Sequence, residues 1–167
     1  MASEITVAVN GALGKMGSTV LTAAALEPGV IPIGGADIAA SSSAIVVSGT
    51  SISVPLAPSL SDLFKIVKPD VVVDFTNGEA AKSAIITCID AGVRVVSGST
   101  GLAPDDFEEI ARLSEQRQVG VISASNFALG AVVLIDLAGI GSKYFDYRDL
   151  RVSYTHLPAH APEADGG

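Results

Sequence analysis

Five short runs rich in β-branched and other apolar residues, at 5–9, 30–33, 71–75, 93–97 and 119–124, recur along the chain and read as strands. Between them lie longer stretches with apolar positions three and four residues apart, which predict helices over 14–26, 60–67, 79–91, 104–116 and 127–143. Pro104 suits a first helical turn, where its missing donor costs nothing. Strand and helix alternating at this spacing specify right-handed βαβ units, and hence an open parallel sheet with helices on both faces. The expected fold class is therefore α/β, a Rossmann-type doubly wound parallel sheet. Between residues 38 and 58 the pattern dissolves into Ser, Ala, Gly and short Val runs. This region reads as a surface excursion with one weak strand near 52–54, and the Ser-rich part at 41–53 has no legible role.

Composition narrows the classes. Apolar residues make up 49% of the 167, with aromatics at 5% and no Trp, which suits parallel strands covered on both faces better than a sandwich. The length supports one substantial core and is short for a two-domain oxidoreductase. The net charge of −8, with only ten Lys and Arg, argues against a nucleic-acid partner. A single cysteine, Cys88, and the lack of a basic-then-apolar leader predict a cytoplasmic protein. The late apolar stretch at 131–140 is interrupted by Asp136 and falls well short of the ~20 residues a membrane span needs.

The chemistry sits at the predicted strand ends. Strand one runs into Gly11, Ala12, Leu13, Gly14, Lys15, Met16 and Gly17, a G-x-x-G-x-x-G spacing that opens a helix. Such a turn needs residues without a Cβ and aims free N–H groups and the positive helix end at a pyrophosphate. Any close βα turn recruits glycine, so the loop alone is a weak signal. Asp37, twenty positions beyond Gly17, ends strand two, where a carboxylate accepts hydrogen bonds from the adenosine ribose. The bland alternative is a solvated side chain opening the Ser-rich loop. A carboxylate repels a 2′-phosphate and the next residue is Ile38 rather than Arg, so NADH is expected over NADPH, with Lys15 leaving NADPH possible. Asp74, Phe75, Thr76 and Asn77, then Gly98 to Gly101, then Ser123 to Phe127 follow the later strands, and in an open parallel sheet those ends line one crevice. Gly98, Ser99, Thr100 and Gly101 can offer backbone donors and small hydroxyls beside the nicotinamide ribose, and Asn126 can fix a carboxamide. Each equally suits an ordinary turn or helix cap.

Taken together, GALGKMG at 11–17, DFTNGEAA at 74–81, SGSTGL at 97–102 and SASNFALGAVVL at 123–134 resemble the dihydrodipicolinate reductase family, in order and in spacing. The resemblance implies an oxidoreductase of lysine and diaminopimelate biosynthesis, whose second domain binds a cyclic imine dicarboxylate and builds a homotetramer. By position it assigns Gly11, Ala12, Leu13, Gly14, Lys15 and Met16 to the pyrophosphate and Asp37 to the adenosine ribose. Gly98, Ser99 and Thr100 fall to the nicotinamide side, and Ser125, Asn126 and Phe127 to the hinge between domains, while Phe75 and Thr76 match without change. Ser99 and Ser125 depart mildly from the family's usual GTTG and PNF or ANF.

After Arg151 the βα rhythm stops. The family continues into a pattern like E-x-H-H-x-x-K-x-D-A-P-S-G-T, whereas this chain reads VSYTHLPAHAPEADGG. His156 is the sole catalytic candidate, on a weak alignment. VSYTHL resembles the translation of a transposon adapter, so residues 152–167 are expected to be a non-native or disordered tail on a dinucleotide-binding domain of residues 1–151, with the substrate domain missing. Two other readings stay open: a stand-alone NAD-binding sensor, and another amino-acid-pathway dehydrogenase with a Rossmann start.

Overall fold

The computed structural model describes residues 4–124, 127, 129–141 and 143. Seven strands form one sheet: β1 (Ile5–Asn10), β2 (Val30–Ala36), β3 (Ala44–Val46), β4 (Ser53–Ala57), β5 (Val71–Asp74), β6 (Arg94–Ser97) and β7 (Val121–Ser123). The helices are α1 (Lys15–Leu26), α2 (Leu60–Leu63), α3 (Gly78–Ala91), α4 (Pro104–Arg117) and α5 (Leu129–Gly141). The strand order is β3-β4-β2-β1-β5-β6-β7, and every pairing is parallel except β3 with β4. The chain therefore winds outward from β1 in one direction, then returns to its other side at β5. That reversal between β1 and β5 opens a crevice at the carboxyl ends of the strands.

The chain divides into two compact units, Met1–Phe127 and Ala128–Gly167. The first holds the whole sheet, and two apolar clusters cover its faces. Val72, Val95, Ile85, Cys88, Ile89 and Leu63 form one, and Val7, Val9, Leu21, Val54 and Leu56 the other. Leu21, Leu63, Ile85 and Ile89 are 1% exposed or less, and burying each contributes about 1.5–3 kcal/mol. In the second unit α5 carries LGAVVLIDLAGIG, apolar around its whole circumference but for Asp136.

The helix ends follow local chemistry. Asn77 caps α3 by accepting from the Ala80 N–H, and Gly92 ends it in the left-handed region. Asp106 reaches back to the Ala103 N–H at the start of α4, with Pro104 in the first turn.

The structure corrects the expected excursion at 38–58. Residues 53–57 are a full strand of the sheet, parallel to β2 through Gly35–Leu56 and Ala36–Ala57. Residues 44–46, expected as loop, pair antiparallel with it at the sheet's edge. Val47 and Val54 are buried beneath the hairpin, which supplies the free energy that the local sequence hides. Helix α2 is four residues long, half the expected span, and its turn continues to Val67 through backbone bonds to Leu63.

Candidate functional site

A cleft of about 540 Å³ opens where the strand order reverses, lined by Asn10, Gly11, Gly14, Asp37, Ile38, Pro58, Phe75, Thr76, Asn77 and Ala80. These residues follow β1, β2, β4 and β5, so four crossovers converge on one hollow.

The loop from β1 to α1 is held by its own backbone. Gly11 and Ala12 donate their N–H groups to the Ala36 carbonyl at 2.9 and 3.1 Å, and Gly14 donates to Gly11 at 3.0 Å. Leu13 donates to Asp37 Oδ2 at 2.9 Å. Within the expected pyrophosphate run from Gly11 to Met16, the N–H groups of Gly11 to Gly14 are all four spent in fixing the turn. The donors left over are those of the first helical turn, on Lys15, Met16 and Gly17. An α-helix gives them no acceptor, and Gly14 as cap residue brings no side chain. Gly14, just before them, lines the cleft, so the positive end of the helix dipole lies at its edge.

Two glycines in this loop admit no side chain. Gly11 has φ of +76°, and a Cβ on it would lie 2.8 Å from the Phe75 carbonyl oxygen. A Cβ on Gly17 would lie 2.0 Å from the Gly11 carbonyl oxygen. The helix start can approach the strand end only because both positions lack one.

Asp37 is half-buried at the end of β2 and accepts two backbone donors, Leu13 on Oδ2 and Ala39 on Oδ1, each at 2.9 Å. Each oxygen keeps a further lone pair for a hydroxyl in the cleft. Ile38 beside it is 95% exposed, an apolar surface at the rim of the same cleft.

The Phe75 ring lies against Gly98 on one side and meets Phe127 edge-on at 6.3 Å on another. Thr76 lines the cleft with its hydroxyl bonded to Asp74 at 2.9 Å. Ser99 is buried and its hydroxyl also goes to Asp74, so it faces the core rather than the cleft. Thr100 is exposed beyond it. Ala12 is fully buried beneath the loop, whereas Leu13, Lys15 and Met16 are exposed. The fold therefore brings Gly11, Gly14, Asp37, Phe75 and Thr76 into one cleft, with Gly98 beneath Phe75. Ser125, Asn126 and His156 lie outside the described residues.

The sequence reading missed Asn10, Pro58 and Ala80 as cleft residues, and it singled out Asp74 without a role. The signal for Asp74 was a carboxylate ending the apolar run VVVD. Besides Thr76, two positions on, its partners stand 64, 23 and 25 positions away, out of reach of local pattern. Lys82, on α3, is engaged by Asp106 at 2.7 Å and Glu109 at 2.8 Å, and Lys65 by Asp62 at 2.8 Å. Burial among apolar neighbours, and secondarily the charge of Asp74, push the Cys88 thiol up to about 12, an unreactive state. Among the described residues no cluster of His, Cys, Asp and Glu could hold a metal, and no helix is long and apolar enough to cross a membrane.

A dinucleotide fits this arrangement on three counts: an N-terminal helix turn with unspent donors, a glycine cradle that a Cβ would fill, and an acceptor carboxylate at the end of the adjacent strand.

Comparison with known proteins places the chain. The family model described as dihydrodipicolinate reductase, N-terminus, matches residues 5–127. A 4-hydroxy-tetrahydrodipicolinate reductase from Dehalococcoides mccartyi (strain CBDB1) is 40% identical over 142 residues, which cover 85% of this chain and 54% of that protein. The chain thus spans about half the length of the curated relatives it matches. Among solved structures, the dipicolinate-bound dihydrodipicolinate reductase of Paenisporosarcina sp. TG-14 superposes with a TM-score of 0.71 at 30% identity, covering 85% of this chain and 55% of that one. The WlbA dehydrogenase of Bordetella pertussis, in complex with NADH and UDP-GlcNAcA, shares the fold at a TM-score of 0.65 and 17% identity, covering 86% of this chain and 43% of that one.

Proposed function

Because this chain belongs to the dihydrodipicolinate reductase family, we propose that it is the cofactor-binding half of an enzyme that reduces 4-hydroxy-tetrahydrodipicolinate at the expense of NADH. The observation that carries this reading is the convergence of the glycine loop, Asp37 and the Phe75–Thr76 turn on one cleft at the reversal of strand order. In this proposal the N–H groups of Lys15, Met16 and Gly17 hold the pyrophosphate. The flanking loop residues Gly11 to Gly14 shape the turn, and the spare lone pairs of Asp37 accept from the adenosine ribose hydroxyls. The Phe75 ring, backed by Gly98, forms an apolar wall for the nicotinamide end, with Ser99 and Thr100 in the adjoining turn. By the family resemblance, Ser125, Asn126 and Phe127 are assigned to the hinge towards the substrate-binding half.

A dihydronicotinamide bound there supplies a hydride to an imine carbon. The protein's own task is to hold that ring in place and keep water away. No lysine is among the described residues that line the cleft, and Lys65 and Lys82 are committed to carboxylates, so the proton for the reduced product is assigned to the substrate-binding half. The cyclic imine dicarboxylate substrate, the tetramer and the cytoplasmic setting belong to the same proposal. NADH is favoured over NADPH because, with the adenosine ribose at Asp37, the carboxylate would repel a 2′-phosphate.

The test is a chimera in which residues 5–127 replace the matching half of the Dehalococcoides mccartyi relative. The proposal expects loss of dihydronicotinamide absorbance that depends on 4-hydroxy-tetrahydrodipicolinate, faster with NADH than with NADPH. A folded chimera that binds NADH yet leaves that substrate unreduced would contradict it.

A further inference from the structure

Asp74 ends β5 with no exposed surface, and no cation pairs with it among the described residues. Burying a carboxylate in an apolar sheet is unfavourable unless its lone pairs are filled. They are filled here. Asn10 Nδ2 and Thr76 Oγ1 donate to Oδ1 at 2.8 and 2.9 Å, and Ser97 Oγ and Ser99 Oγ donate to Oδ2 at 2.9 and 2.8 Å. Two of those hydroxyls are themselves acceptors: Ser99 Oγ takes the Thr76 N–H at 2.8 Å and Ser97 Oγ takes the Ser99 N–H at 3.3 Å.

A carboxylate only accepts, so the hydrogens of Thr76, Ser97 and Ser99 all turn inward. The network ties together the carboxyl ends of β1, β5 and β6, of which β1 and β5 end at the cleft. Of the three hydroxyl-bearing residues, only Thr76 lines the cleft, since Ser97 and Ser99 are buried. With its hydrogen spent on Asp74, Thr76 Oγ1 can offer the cleft nothing but a lone pair.

We propose that Asp74 is a positioning residue: by holding the Thr76 hydroxyl as an acceptor, it makes the cleft select a hydrogen-bond donor at the nicotinamide end of the dinucleotide, a carboxamide N–H or a ribose hydroxyl. This rests on the dinucleotide reading above. With the pyrophosphate at the start of α1 and the adenosine ribose at Asp37, the remaining half of the ligand crosses the strand reversal towards β5 and β6, where Asp74 lies.

The experiment titrates the full chain and its variants with NADH and with ADP, which has the adenosine and pyrophosphate but lacks the nicotinamide riboside. Asp74→Asn puts an NH₂ where an acceptor stood and forces two of its four partners to turn round. The expected result is an NADH affinity lowered about tenfold with ADP affinity unchanged. Thr76→Val, at a half-buried wall position, should give the same selective loss, and the double variant should lose no more than Thr76→Val alone. Should Asp74→Asn fail to fold, the Thr76→Val split between NADH and ADP decides the matter. Equal losses for both ligands, or none for NADH, would overturn the positioning role while leaving the dinucleotide site intact. A wild-type chain that binds neither ligand would overturn the site and this role together.

Discussion

Replacing Gly17 by alanine sets two well-defined effects against each other. Gly17 is the third residue of α1, where helix propensity alone favours alanine by about 1 kcal/mol. Its Cβ, however, would lie 2.0 Å from the Gly11 carbonyl oxygen, 2.7 Å from the Gly11 carbonyl carbon and 3.0 Å from Ala12 Cα. All three are backbone atoms, so no rotamer relieves the clash and the loop itself must move. That loop is pinned by Gly11 and Ala12 to Ala36 and by Leu13 to Asp37. Overpacking against a fixed backbone costs up to ~3 kcal/mol, which leaves a net loss of ~2 kcal/mol after the propensity gain. For a chain of this size that lowers Tm by roughly 4–8 °C. Because the displaced atoms shape the proposed pyrophosphate seat, NADH affinity should fall at least about tenfold as well. Thermal melts followed by circular dichroism, together with NADH titration, measure both. Gly120→Ala is the control, since its Cβ meets nothing within 4 Å and its φ is not positive; it should change stability by no more than about 0.5 kcal/mol. A Gly17→Ala protein that melts at or above the wild type and binds NADH equally would refute the reasoning.

Three further outcomes follow from the same structure. Removing the carboxylate in Asp37→Ala frees the Leu13 N–H and the ribose acceptor together, so NADH affinity should drop about tenfold while the ratio of NADPH to NADH affinity rises, as paired titrations will show. Lys82 hydrogen-bonds Asp106 and so holds that carboxyl below its ordinary 3.8, with the Ala103 N–H assisting, while Asp106 and then Glu109 raise Lys82 above its ordinary 10.5. The Asp106 contribution to stability is therefore complete above pH 3.8 and lost as pH falls further, and that of Lys82 is complete below pH 10.5 and lost above it. Lys82→Met should flatten both limbs of a Tm against pH profile, and unchanged limbs would rule the trio out as a pH-sensitive contact. Cys88, buried with its thiol raised to about 12, should resist thiol reagents at pH 8 until the chain unfolds, and rapid labelling of the native protein would contradict its place in the core.

What was legible in the sequence is what local pattern encodes. Val71–Asp74 and Gly78–Ala91 were readable because a β-branched run and a helical period each declare themselves within a few residues. The placement of Asp37 and the glycine loop at strand ends beside the cleft was readable, since position after a strand is a local property. Ala44–Val46 and Ser53–Ala57 were not readable as a hairpin, since AIV and SVPLA are too short to show a period and Pro55 weakens the strand signal. Their pairing is decided by the β2 edge and by burial of Val47 and Val54, which no local window contains. The same distance hid the destination of the loop donors: that Ala36, two dozen residues on, absorbs the Gly11 and Ala12 N–H groups is a tertiary fact. Of the expected run from Gly11 to Met16, it leaves the N–H groups of Lys15 and Met16, in α1, as the ones the turn itself does not use.

The central claim is that this cleft binds a nicotinamide dinucleotide. Calorimetric titration of the folded chain with NADH tests it most directly. Saturable binding with one NADH per chain, abolished or sharply weakened by Gly17→Ala and left intact by Gly120→Ala, is the predicted result. A chain that melts cooperatively yet takes up no NADH at millimolar concentration would contradict the claim.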